Sequence, residues 1–300
     1  MQNVMERYQT FRQVVDDITL MNNRFMNKVF DGNIPATQRM LRVILKNDKI
    51  KVRKVGVQQW LQNLYGHSTQ LDILAEDENG AQFNVEIQRS DEGASVQRAR
   101  FYCGALDMHF LDTGEKYEAL PDAYVIFITE SDVFKEGRPI YNVERSIDES
   151  GKAFGDGSHI VYVNAACQDD TPLGRLMQDL NCKDPNKMHY KELADTVNYF
   201  KTTKEGEVNM TSVIEIYAEN KAKEAVAKAE KKAAKATKKA AEKAAYQSNV
   251  EFAKNLLAEG MSEDFTMHLQ FYEGKYQLKS AAGEPEGLHV YPQISQNCHV

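Results

Sequence analysis

Residues 69–88, TQLDILAEDENGAQFNVEIQ, alternate apolar and polar side chains on either side of Asp77-Glu78-Asn79-Gly80. Alternation of period two marks strands, and an Asn-Gly pair between two such runs marks a tight hairpin. On the second strand Phe83, Val85 and Ile87 share one face, and Glu86 and Gln88 share the other. The loop length sets what faces them, because a slip of one residue moves every side chain to the opposite face. A two-residue Asn79-Gly80 turn pairs Asp72 with Ile87 and turns Asp72 toward the apolar side. A three-residue loop, Glu78-Asn79-Gly80, pairs Asp72 with Glu86 and places glycine at the left-handed loop position. The second register keeps both carboxylates out of the core.

Carboxylates directly opposed across a ladder lie about 5 Å apart and repel unless positive charge stands between them. A divalent cation supplies it, since Mg²⁺ favours one or two carboxylates completed by water and phosphate oxygens. Gln88 points to the same side and is suited to orient a water, although it brings no positive charge. An exposed polar sheet face is the competing reading of these residues. Arg98 and Arg100 follow on a helix expected over about 92–110, two residues apart and so on different faces. On the same helix Phe101, Tyr102 and Leu106 are core candidates, and His67 reads as a loop residue.

Upstream, residues 7–46 read mostly as helix, with ATQRMLRVIL carrying a broad apolar stripe behind Pro35-Ala36-Thr37. KIKVRKVGVQQ reads as a strand with one basic face. Downstream, AYVIFITE at 123–130 is a continuous apolar run of strand length, as in a strand covered on both faces. PIYNVERSI and SHIVYVNA read as strands, while TPLGRLMQDL and KELADTVNYFK read as helices, the first opened by Thr171-Pro172. Three segments are expected: a globular domain over 1–206, an Ala/Lys/Glu-rich helix over 207–260, and a tail over 261–300. Alanine makes a poor coiled-coil seam, so the long helix reads as a solvated one rather than a strong zipper. A homo-oligomer is compatible with this reading.

Composition narrows the function classes. The four cysteines, Cys103, Cys167, Cys182 and Cys298, form no CxxC pair, which argues against zinc and against a secreted disulfide scaffold. No apolar run reaches membrane-spanning length, and MQNVMERYQT has neither the basic nor the apolar region of a signal peptide, so a cytoplasmic protein is expected. Residues 221–243 hold nine Lys and three Glu, a local +6 in a chain of −7, which leaves −13 elsewhere.

Taken together, LDILAEDENGAQFNVEIQRSDEGASVQRARFYCGALD resembles the core of the PD-(D/E)xK nuclease superfamily, in its Rpn-type, transposase-like branch. The likeness extends from about residue 18 to 200, through ITLMNNRFMNKVF, LPDAYVIFITESD, GSHIVYVN and LGRLMQDL, and LLAEGMSEDF resembles a C-terminal helical segment of such proteins. The resemblance implies an α/β (α+β), restriction-endonuclease-like αβββαβ core and Mg²⁺-dependent DNA cleavage, with Mn²⁺ as the substitute metal. It carries Asp72 and Glu86 over as metal ligands, Gln88 onto the position of the superfamily's lysine, and Arg98 or Arg100 as the phosphate contact. Where relatives carry acids near the start of the first helix, this chain has Asn22-Asn23-Arg24, with Asp31 as a distant substitute candidate. The alternative is therefore a catalytically silent protein of the same fold that binds DNA or a protein partner.

Overall fold

The structure is a computed structural model and describes residues 11–62, 67–88, 91–258, 268–272 and 275–279. Residues 1–221 form one compact unit and residues 222–300 a second.

In the first unit, residues 11–17 are helical and lead to α1 (Asn23–Phe30) and α2 (Ile34–Leu45). The mostly helical stretch expected over 7–46 is divided by two asparagine caps, the second just before the helix entry expected at Pro35-Ala36-Thr37. Asn22 Oδ1 accepts from the Phe25 N–H, and Asn33 Oδ1 accepts from the Ala36 N–H with Pro35 in the first turn. Asparagine favours these ends because its side chain satisfies an orphan amide of the first turn. Asp31 closes α1 at the end remote from Asn22 and Asn23 and is exposed there.

The chain then makes β1 (Val52–Leu61), β2 (Thr69–Asp77) and β3 (Gln82–Gln88), crosses over through α3 (Val96–Phe110), and returns as β4 (Ala123–Thr129). This is the αβββαβ order. A short antiparallel strand β5 (Ile140–Val143) and a parallel β6 (Ser158–Asn164) complete a six-stranded sheet in the order β1-β2-β3-β4-β6-β5. Ser146–Ile147 and Lys152–Ala153 pair as a small separate ribbon. Two further helices follow, α4 (Pro172–Asn181), capped by Thr171, and α5 (Lys191–Thr202).

The sheet is covered on both faces, and β4 shows why its sequence is apolar throughout. Ile126 and Ile128 join the larger core with Phe25, Met40, Leu41, Leu176 and Val197, whereas Val125 and Phe127 pack with Tyr102 and Leu106 of α3. Tyr102 and Leu106 are thus core residues as expected, but Phe101 is not and stays 41% exposed.

The long helix α6 runs from Lys204 to Ala258. Its first turns belong to the core: Met210, Val213 and Ile214 are buried, and Glu207 pairs with Arg12. The first compact unit therefore continues past residue 206 to Lys221. In the second unit α6 is exposed from Val226 to Ser248, and His268–Tyr272 pairs antiparallel with Lys275–Lys279. The segment LLAEGMSEDF ends its described part at Ala258; its remainder, like most of 261–300, lies outside the described residues.

Candidate active site

The hairpin takes the three-residue register. Ile73 faces Val85 and Ala75 faces Phe83, and just beyond the paired residues the Asp72 N–H reaches the Glu86 side chain. The Asp77 N–H donates to the Ala81 carbonyl to close the loop, and Gly80 sits at φ +86°, a conformation that favours glycine.

The polar face of β3 is not solvent-exposed. Because β3 lies inside the sheet and α3 covers that face, Asn84 and Glu86 are fully buried and Gln82 nearly so. Asp72 is 6% exposed and Gln88 half-buried. A carboxylate pair in so little water must be neutralised, protonated or bound.

The surroundings show how far the protein does this by itself. Glu86 Oε1 accepts the Asp72 backbone N–H at 3.1 Å, and Glu86 Oε2 faces Gln88 Nε2 at 3.3 Å and the Arg98 guanidinium at 3.4 Å. Gln58 Nε2 donates to Asp72 Oδ1 at 3.3 Å from β1, where Gln58 takes a left-handed φ of +52°. Asp72 Oδ2 is buried with no hydrogen-bond partner among the described residues, and neither end of the Asn84 amide has one.

Burial and then the negative charge of Asp72 push the Glu86 carboxyl up to about 8, against the Asp72 N–H and Arg98. Burial also raises Asp72, opposed by the Asn23 side chain, the Ile87 N–H, Arg98 and Gln58. Asn23, at the start of α1, therefore stands against the carboxylate of Asp72, on the segment where the sequence shows asparagines in place of acids.

Arg98 is held rather than free. Its guanidinium donates to the Tyr102 hydroxyl, with Nε at 2.8 Å, and to the Gly93 carbonyl at 2.8 Å, and it lies 5.0 Å from the Tyr102 ring centre. Spacing of i, i+4 brings Arg98 and Tyr102 together on α3, and Tyr102 stacks in turn on Phe127. Gly93 precedes this helix in a short 3-10 turn, and a Cβ there would come 2.2 Å from Gln88 Oε1. Any larger residue would displace Gln88 from the site.

The fold thus brings together four of the five residues expected from sequence: Asp72, Glu86, Gln88 and Arg98. Arg100 is exposed on another face of α3, without a contact to the carboxylates. Sequence reading missed Gln58, Asn84 and Tyr102 as members of this cluster. The Arg98–Tyr102 spacing and the N-x-E-x-Q pattern of β3 were the available signals; Gln58 left none.

An αβββαβ core with carboxylates toward the end of its hairpin remote from the loop defines a restriction-endonuclease-like, nuclease-type protein. A family model described as PD-(D/E)XK nuclease family transposase matches residues 25–259, and the chain belongs to that family. No curated protein and no solved structure matches it. Nucleases of this kind generally depend on a divalent metal and act on DNA. The residues present fit a small hard cation, because two carboxylates converge and the buried Asp72 Oδ2 is an acceptor awaiting a partner. No cluster of three or more His, Cys, Asp or Glu occurs among the described residues, and Asp72 and Glu86 are the pair that would hold the cation. Among the described residues no helix is long and apolar enough to cross a membrane.

Proposed function

We propose that this protein is a Mg²⁺-dependent DNA endonuclease acting in recombination or in a mobile element. The observation that carries the reading is the buried juxtaposition of Asp72 and Glu86 with Asp72 Oδ2 unpartnered among the described residues. Asp72 and Glu86 would hold the cation, with Mn²⁺ as its substitute. A divalent ion held there would supply polarisation of a phosphoryl oxygen and a more acidic water.

The side chains divide the remaining work. Gln88, held between Glu86 and Gly93, presents an amide that can accept from an attacking water and fix its approach. It cannot supply charge to the transition state, and Arg98 takes that part. A guanidinium matches phosphate geometry and is never deprotonated. Side-chain exposure of 36% leaves Arg98 an open edge toward a strand while its other donors stay on Tyr102 and Gly93. Arg100 serves as a peripheral phosphate contact.

One observation favours a second reading, a silent member of the fold that binds DNA or a protein. Asn23 stands beside Asp72 where a third carboxylate would strengthen the site, and an amide oxygen holds a hard cation less well. Cleavage of a labelled duplex by the wild type, Asp72→Ala and Asn23→Asp separates the two. Activity lost in Asp72→Ala supports the nuclease. Activity absent in the wild type but gained in Asn23→Asp supports the silent reading.

A further inference from the structure

The charged stripe of α6 is the strongest feature outside the hairpin site. At 3.6 residues per turn, Lys228, Lys231, Lys232, Lys235, Lys238 and Lys239 fall within an arc of roughly 120°. All six are exposed. They span about 16 Å of helix axis. Glu230, the one acid among them, projects from the far side, which Ala229, Ala233, Ala236, Thr237 and Ala240 otherwise fill.

A merely solvated helix intersperses opposite charges along a face, because pairs at i, i+4 then stabilise it. Here Lys228–Lys232, Lys231–Lys235 and Lys235–Lys239 are like-charged i, i+4 pairs, each costing about 0.2–0.5 kcal/mol. Lys231, Lys232 and Lys235 have no acid three or four residues away in either direction. A polyanion laid along the stripe would relieve the repulsion.

We propose that this face of α6 is a second, sequence-independent contact surface for the phosphate backbone of duplex DNA, resting on the reading of the protein as a DNA-acting enzyme. Duplex DNA offers one charge per about 1.7 Å of axis, matched to a rail of lysines and to no particular sequence. A bilayer is the poorer occupant, since the face opposite the lysines carries alanine rather than the large apolar residues that insert into lipid. A protein partner is poorer too, because the stripe has no aromatic or arginine anchor. With −13 on the rest of the chain, attraction to a polyanion must be local, and this is where it concentrates.

The test replaces all six lysines with glutamine, which preserves helix propensity. Full-length wild type, the six-site variant and Glu86→Ala are titrated against a fluorescent 30-base-pair duplex in chelator at several salt concentrations, with helicity checked by circular dichroism. Anionic vesicles serve as the competing probe. In the wild type, the slope of log affinity against log salt should be steeper than in the six-site variant by at least about 2, since each phosphate contact contributes about 0.9. Glu86→Ala should keep the wild-type slope. A six-site variant with unchanged slope, or one that loses vesicles and keeps DNA, overturns the proposal while leaving the nuclease reading intact. A wild type that does not bind duplex overturns both. DNA binding lost in the variant, with no cleavage by the wild type in any metal, upholds the contact surface and removes the nuclease.

Discussion

The backbone N–H of Asp72 donates to Glu86 Oε1 at 3.1 Å, so the two carboxylates of the hairpin are linked through the main chain of one and the side chain of the other. That link exists only in the register set by Gly80. It fixes Glu86 in a buried position while its own charge and that of Asp72 oppose each other. The site is therefore strained electrostatically unless a proton or a cation is present.

The metal-free protein should show this in its stability. Glu86 lies near 8 in the fold against an ordinary 4.5, so between those values the folded state binds more protons than the unfolded chain. Stability should fall as pH rises through that window, by up to about 1.4 kcal/mol per pH unit. Below 4.5 the contribution is constant. Urea unfolding in chelator from pH 5 to 8 should show the decline, and Glu86→Gln should flatten it. An equal slope in both proteins contradicts the assignment.

Removing a ligand should separate stability from activity. Glu86→Gln keeps the shape of the buried group without its charge, so the metal-free variant should match the wild type near pH 4.5 and be the more stable of the two at pH 7, by up to about 3 kcal/mol. Cleavage should fall by at least about 100-fold, since changes to outer-shell partners alone cost 10–100-fold. Urea midpoints and initial cleavage rates measured on one preparation decide this.

The two arginines of α3 should differ. Arg98→Met removes a donor from the Tyr102 hydroxyl and the Gly93 carbonyl and the positive charge beside Glu86, and should cost about 1–3 kcal/mol. Arg100→Met touches an exposed site and should stay within about 0.5 kcal/mol. Comparable midpoint shifts for the two would mean that Arg98 is not held as described.

The end of the first compact unit is also open to test. Met210, Val213 and Ile214 are buried, each worth about 1.5–3 kcal/mol. A chain ending at residue 221 should melt cooperatively. One ending at 206 should melt at lower temperature or fail to fold. Identical melting of both would place these residues outside the core.

The strands and their order were legible because alternation, the Asn-Gly turn and the apolar run of β4 are local patterns with one structural solution. The burial of the polar face was not, since QFNVEIQ alternates as a half-exposed strand does. Only the crossover of α3 above β3 reverses that reading, and crossover placement is a long-range matter. That Asp72, Glu86 and Gln88 come together was legible because register follows from loop chemistry. Gln58 was not, because its left-handed backbone in β1 has no glycine or asparagine to mark it. The helix entry at Pro35-Ala36-Thr37 was legible because proline favours a first turn, whereas the cap at Asn22 was not singled out.

Binding of Mn²⁺ itself tests the central claim most directly, through paramagnetic relaxation of water protons in wild type, Asp72→Asn and Glu86→Gln. The account predicts a bound ion in the wild type, displaced by Mg²⁺ and released as pH falls and Glu86 takes up its proton, with binding lost in both variants. Wild type that binds no Mn²⁺ at pH 8, or variants that bind it as well as the wild type, would contradict the assignment of the buried pair as a metal site.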